Sequence, residues 1–224
     1  MPILGPSTDY TEAPKLAPHG GPTGRRLGRP RRVWVREDAF DVLDVEASYW
    51  LGFIIADGSI DIPRWMLTVH LAEKDREHLV ALQAFLGGTI GETKTGPRLI
   101  ACSRRLVEGL IARGVMPRKS YGSGEPPSLE GDARIALLRG LFDGDGCLHV
   151  TQRGHLQAAF CGRDELVAWF VKQIAIETNG VPSTRGGCVY AQWTSGIRAR
   201  AIAALLYDAP GPRLARKNAI AKGN

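Results

Sequence analysis

A nine-residue pattern occurs twice in this chain, and it constrains the fold more than any other feature. Trp50-Leu51-Gly52-Phe53-Ile54-Ile55-Ala56-Asp57-Gly58 returns as Leu138-Arg139-Gly140-Leu141-Phe142-Asp143-Gly144-Asp145-Gly146. Gly52 matches Gly140, Asp57 matches Asp145 and Gly58 matches Gly146, each pair 88 positions apart. A unit repeated at one fixed separation predicts two related halves. Each copy reads as a helix. Asp44 and Asp132 suit N-caps, the apolar run that follows suits a buried segment, and Gly58 and Gly146 stand at the C-terminal stop. Small residues recur four apart, Gly52 with Ala56 and Gly140 with Gly144, a spacing that lets two helix backbones approach closely. If the two helices pack side by side in parallel, Asp57 and Asp145 emerge together at one end.

Such an arrangement is unfavourable by itself. A helix C-terminus carries partial negative charge, and two neighbouring carboxylates repel. A divalent cation removes both problems, and paired carboxylates holding Mg²⁺ are a common device for phosphodiester cleavage. The plainer alternative is a helix-end Asp that hydrogen-bonds the next turn, but the same awkward placement occurs twice. Asp143-Gly144-Asp145-Gly146 is not an EF-hand start, because the twelfth position holds Gly154 rather than Glu.

The two copies resemble the paired motifs of the LAGLIDADG homing endonucleases in their single-chain form, over residues 33 to 222. The departure is Ile55, where the family name carries its first Asp. The resemblance implies an α+β fold of two pseudo-symmetric αββαββα repeats. They would be joined through the motif helices, with two antiparallel sheets forming a saddle on the DNA major groove. It implies a monomeric, Mg²⁺- or Mn²⁺-dependent nuclease that cuts double-stranded DNA and leaves 3′ overhangs, from an intron, intein or free-standing mobile element. It further implies that Asp57 and Asp145 are catalytic and hold metal, with Ala56 and Gly144 lending backbone carbonyls and Gly52 and Gly140 at the helix interface. Glu73, Arg104, Arg105, Arg163, Arg198 and Lys217 are candidates for support near the scissile phosphates; each is otherwise a solvated charge. A non-cleaving binder of the same fold, such as an RNA maturase or a regulator, is the second reading. A purely structural duplicated protein is the third.

The rest of the chain fits this plan by element order. Residues 1–32 are rich in Pro, Gly, Ser and Thr, and disorder is expected there. Their basic end, with Arg29, Arg31 and Arg32, resembles an AT-hook core or is a solvated basic tail. Residues 33–43 form a lead-in under the first motif helix. The first half spans 33–115, the linker 116–132 and the second half 133–224. Strands are expected at 59–62, 65–73, 89–94 and 98–102, and again at 147–152, 155–161, 183–185 and 188–194. Helices are expected from Asp75 to Leu86, Ser103 to Arg113, Asp164 to Thr178 and Ile197 to Tyr207, with a short basic helix at the end. Base readout from strands and turns is assigned to Arg64, Thr68, His70, Lys94, Arg98, His149, Arg153, Gln157, Arg185, Tyr190, Gln192 and Thr194.

Composition sets the compartment and the partner. A formal net charge of +6 and a pI near 9.3 suit a polyanionic partner. Cys102, Cys147, Cys161 and Cys188 have no C-x-x-C spacing and read as reduced, mostly structural thiols. No apolar run is long enough to span a membrane, and the N-terminus lacks the apolar core of a secretory signal. A soluble protein of the cytoplasm or nucleoid is expected.

Overall fold

The computed structural model describes residues 33–117, 124–180 and 182–223. The basic tail with Arg29, Arg31 and Arg32, and linker residues 118–123, lie outside the described residues.

The first motif forms α1, Val45–Asp57, and the second forms α4, Gly131–Asp145. Asp44 caps α1 as expected, its Oδ1 accepting from the Ala47 amide at 2.8 Å. The expectation for α4 needs correction. Its N-cap is Glu130, without a side-chain bond, and Asp132 lies in the first turn, where its charge still faces the positive helix end. Every residue of α1 from Ala47 to Ala56 is buried, and so is α4 from Ile135 to Asp143. A helix buried on all sides belongs at the centre of a fold.

The two helices pack on each other through their glycines. A Cβ on Gly52 would run into the Leu137 carbonyl and lie 2.9 Å from the Leu141 amide. A Cβ on Gly140 would run into the Tyr49 carbonyl and lie 2.8 Å from the Phe53 amide. These contacts are related by the repeat, residue for residue, so the helix pair has an internal pseudo-two-fold. Gly58 and Gly146 end the helices differently from a left-handed cap. Both have extended backbone, with φ of −74° and −88°, and lead straight into strands. A side chain there would press on the Ile54 or Phe142 carbonyl.

Each half adds an antiparallel sheet of four strands. The first consists of β1 Gly58–Asp61, β2 Met66–His70, β3 Thr89–Thr93 and β4 Gly96–Cys102, in the order β1-β2-β4-β3. The second consists of β5 Gly146–Val150, β6 Leu156–Gly162, β7 Ser183–Arg185 and β8 Cys188–Trp193, in the order β5-β6-β8-β7. The fold is therefore α+β with two sheets of identical strand order. The inner faces, among them Leu67, Val69, Leu99, Ala101, Ala158, Phe160, Ala191 and Trp193, are buried against the helices. The remaining helices are α2 Arg76–Leu86, α3 Arg104–Ile111, α5 Asp164–Ile174, α6 Gly196–Tyr207 and α7 Ala215–Ala221.

Several boundaries differ from expectation. β2 stops at His70, and Glu73 opens a 3₁₀ turn instead of ending the strand. Its carboxylate takes Arg76 at 2.5 and 2.8 Å, which favours a turn over extended backbone. Pro97 lies within β4, opposite Glu92 on the edge strand β3. α5 ends at Ile174 rather than Thr178, because Ala175 adopts φ +54°. In the lead-in only Phe40 is fully buried among the large apolar residues, while Trp34 and Val42 are exposed. The cysteines are free, and Cys102, Cys147 and Cys188 are exposed rather than part of the core.

Candidate active site at the paired helix ends

Asp57 and Asp145 are the last residues of α1 and α4, and both are half-buried. The Asp57 side chain lies against the other helix: a Cβ on Gly144 would sit 3.2 Å from Asp57 Oδ2, and it would overlap the Ala56 side chain. Glycine at 144 is thus what the close approach requires. Two cavities flank the helix ends. One, of about 250 Å³, is lined by Asp57, His70, Lys74, Asp143, Gly144 and Arg216 among others. The second, of about 240 Å³, is lined by Ala56, Asp145, Cys161, Arg163 and Cys188 among others.

Beneath the acids lies a polar network that the sequence reading did not foresee. Asp143 is 1% exposed, and burial pushes its carboxyl above the usual range. It accepts from the Tyr49 hydroxyl at 2.8 Å, the Tyr207 hydroxyl at 2.6 Å and the Leu214 amide at 2.8 Å. Tyr49 also meets His78 Nε2 at 2.8 Å. Because the Tyr49 hydroxyl gives its proton to Asp143, His78 donates to Tyr49 through Nε2. Burial lowers the His78 pKa to about 4, so its ring is neutral. Asp75, where the sequence places the start of this helix, stands at the N-cap of α2 without a capping bond and instead holds Arg216 of α7 at 3.0 Å. The signal for this network was an ionisable residue, Asp143, in an apolar helix at the position where the other repeat has Ile55.

Lys217 is buried under the end of α4, whereas a solvated charge was its alternative reading. Its ammonium donates to the carbonyls of Phe142 at 2.6 Å and Asp143 at 2.9 Å, and to that of Gly146. It satisfies helix-end carbonyls and offsets the negative helix pole. Burial lowers its pKa to about 8. The other supporting candidates sit differently. Glu73 is engaged by Arg76 at 2.5 Å, Arg104 pairs with Glu108 at 2.8 Å, Arg105 with Asp41 at 2.5 Å and Arg198 with Glu177 at 2.5 Å. Arg163 precedes α5 and lines the cavity shared with Asp145.

The assigned readout residues mostly fall on one face of each sheet. Thr68, His70 and Arg98 alternate with buried neighbours on the outer face of the first sheet, where His70 is opposite Arg98. His149, Gln157, Arg185, Tyr190 and Gln192 share the outer face of the second sheet. Arg64, Lys94 and Arg153 are exposed in hairpin turns, and Thr194 is exposed just after β8. Arg64 is tied to Asp61 at 2.6 Å.

The oxygen donors at the helix ends fit a hard cation such as Mg²⁺, which keeps several waters and takes one or two carboxylates together with substrate phosphates. Among the described residues no cluster of three or more His, Cys, Asp or Glu could hold a metal by itself. Any ion here would therefore draw further ligands from water or substrate.

No family model matches the sequence, and no curated protein matches it either. Solved structures do. I-DmoI, in complex with DNA and Ca, superposes with a TM-score of 0.58 at 14% identity, over 79% of this chain and 96% of that one. The LAGLIDADG meganuclease I-AabMI, bound to uncleaved DNA, gives 0.54 at 12% identity over 78% and 86%. Full-length DUF199/WhiA from Thermotoga maritima gives 0.52 at 16% identity over 84% and 64%. The fold of this chain is that of the LAGLIDADG homing endonucleases.

Proposed function

We propose that this chain is a site-specific endonuclease of homing type that hydrolyses one phosphodiester bond in each strand of a DNA duplex, leaving 3′ overhangs. The observation that carries the reading is the close packing of α1 on α4 through Gly52 and Gly140, with each helix ending in an acid and the Asp57 carboxylate lying against Gly144. The I-DmoI structure, with its DNA and Ca, supports a duplex partner and a divalent ion.

Asp57 and Asp145, with the carbonyls of Ala56 and Gly144, are the residues that would hold Mg²⁺ or Mn²⁺. The ion would supply positive charge for the attack of water on phosphorus and for departure of the 3′ oxygen. The protein's own contribution is placement. The glycine contacts fix the spacing of the two helix ends, and Lys217 holds the turn from α4 into β5 while adding positive charge beneath the acids. Each acid serves one strand. The outer sheet faces track the grooves on either side, and the basic hairpin turns meet phosphates. The N-terminal arginines Arg29, Arg31 and Arg32 are assigned to an adjacent minor groove. The two halves lie in one chain, so a monomer suffices.

The second reading is a binder of the same fold that does not cut, and the likeness to WhiA keeps it in view. Retention of both acids favours the nuclease. Cleavage of a plasmid carrying the host gene in its uninterrupted form, with Mg²⁺ and with chelator, separates the two. The nuclease reading expects linear product with Mg²⁺ from the wild type and little from Asp57→Asn or Asp145→Asn. Salt-dependent binding of DNA without any cutting would favour the binder.

A further inference from the structure

We infer that the two sheets read different base chemistry: a guanine next to the cut in the first half-site, and two adenines spaced two base pairs apart in the second. The inference rests on the reading above and goes beyond it by naming bases and residues.

Most arginines of the described residues are committed elsewhere. Arg76, Arg104, Arg105, Arg198 and Arg216 hold carboxylates, and Arg139 holds three carbonyls. Arg98 is different. Among the described residues its side chain makes no hydrogen bond or ion pair, and it stands exposed on the outer face of β4. Its cross-strand neighbours are His70 and Gly91. Gly91 has nothing within 4 Å of where its Cβ would be, so the guanidinium has open space over β3. The position is central: His70 directly follows Val69, which pairs with Gly58 at the end of α1. An unpaired guanidinium facing a major groove is matched by O6 and N7 of guanine.

The second sheet has no arginine in the corresponding rows of β6 and β8; its outer-face arginine, Arg185, also without a side-chain partner among the described residues, stands on the edge strand β7 opposite Cys188. Those rows hold Gln192, opposite the small Ala159, and Gln157, opposite His149. Neither glutamine side chain makes a hydrogen bond among the described residues. A free carboxamide matches N6 and N7 of adenine. Gln192 shares a row with Ala159, and Gln157 lies two residues further along β6 from that row, away from the acids. Two residues of strand advance about 6.7 Å. Two base-pair steps of a duplex at roughly 3.4 Å each cover the same length. Residues one period apart on one sheet face therefore reach bases two steps apart.

The test is selection of bound duplexes from a randomised double-stranded DNA library, in chelator so that nothing is cut, followed by sequencing. Wild type is expected to enrich sites with G at the inner end of one half, next to the cut, and A-x-A in the other. Gln192→Ala and Gln157→Ala should each relax one A·T position by on the order of tenfold, two positions apart. Gln192→Arg should move the preference at its own position from A to G, which shows a folded protein with altered readout. Enrichment of sites in which these variants leave every position unchanged, or relax positions not two apart, overturns the inference and leaves the DNA-binding reading standing. Failure of the wild type to enrich any duplex overturns both.

Discussion

Asp143 and Ile55 occupy the same place in the two repeats, and the difference decides how the core beneath the acids is built. A buried carboxylate needs donors, and Asp143 obtains them from α1, α6 and the segment before α7. An acid in an apolar run was visible in the sequence. Its partners were not, since Tyr49, Tyr207 and Leu214 come from distant segments. His78 makes the network sensitive to pH. Its folded pKa is about 4, below the 6.5 expected when unfolded. Between those values the unfolded chain binds a proton that the folded chain does not. The stability from this group is fully present above pH 6.5 and is lost as pH falls towards 4, by up to ~3 kcal/mol. Urea denaturation at stepped pH should show this loss, and His78→Gln should flatten it; an equal slope in the variant contradicts the assignment. Tyr207→Phe removes one donor to the buried carboxylate and should cost about 1–3 kcal/mol at neutral pH.

At the scale of elements, the glycines of the helix pair set the spacing of everything else. Gly140→Ala places a methyl group against the Tyr49 carbonyl, where neither backbone can yield without parting the helices. A loss of about 3 kcal/mol or more in chemical denaturation is expected, at or beyond the upper end for overpacking. Gly109, inside α3, is the control. A Cβ there meets only the flexible end of Arg113 at 3.7 Å, so Gly109→Ala should gain about 0.5–1 kcal/mol. Lys217→Met strands the carbonyls of Phe142, Asp143 and Gly146 and should cost about 1–3 kcal/mol, with faster amide exchange where α4 leads into β5. The existence and order of the elements could be read from period and punctuation, as in the alternation of Leu67, Val69 and Leu71 or the stripe of Leu79, Leu82 and Leu86. The ends could not, where tertiary bonds decided them. Arg76 drew Glu73 out of a strand, and Ala175 stopped α5 with a left-handed residue that no glycine announced.

The described residues hold two sheets and two motif helices whose repeat was legible in the sequence, but whose differences were legible only in the structure. The shared strand order and the reciprocal glycine contacts make the symmetry. The Asp143 network, the buried Lys217 and the unlike sheet faces are what the structure adds to it. Which outer-face residues are left without a protein partner, such as Arg98, Gln157 and Gln192, could not be told from composition, because other arginines of equal charge are paired. The account depends on the two acids acting as a pair, one for each strand. The most direct measurement is cleavage of a duplex target with each strand separately labelled, in Mg²⁺, by wild type, Asp57→Asn and Asp145→Asn. The account predicts that each variant loses at least about 100-fold on one strand, and that the two variants spare opposite strands. Both variants cutting both strands at the wild-type rate would contradict it.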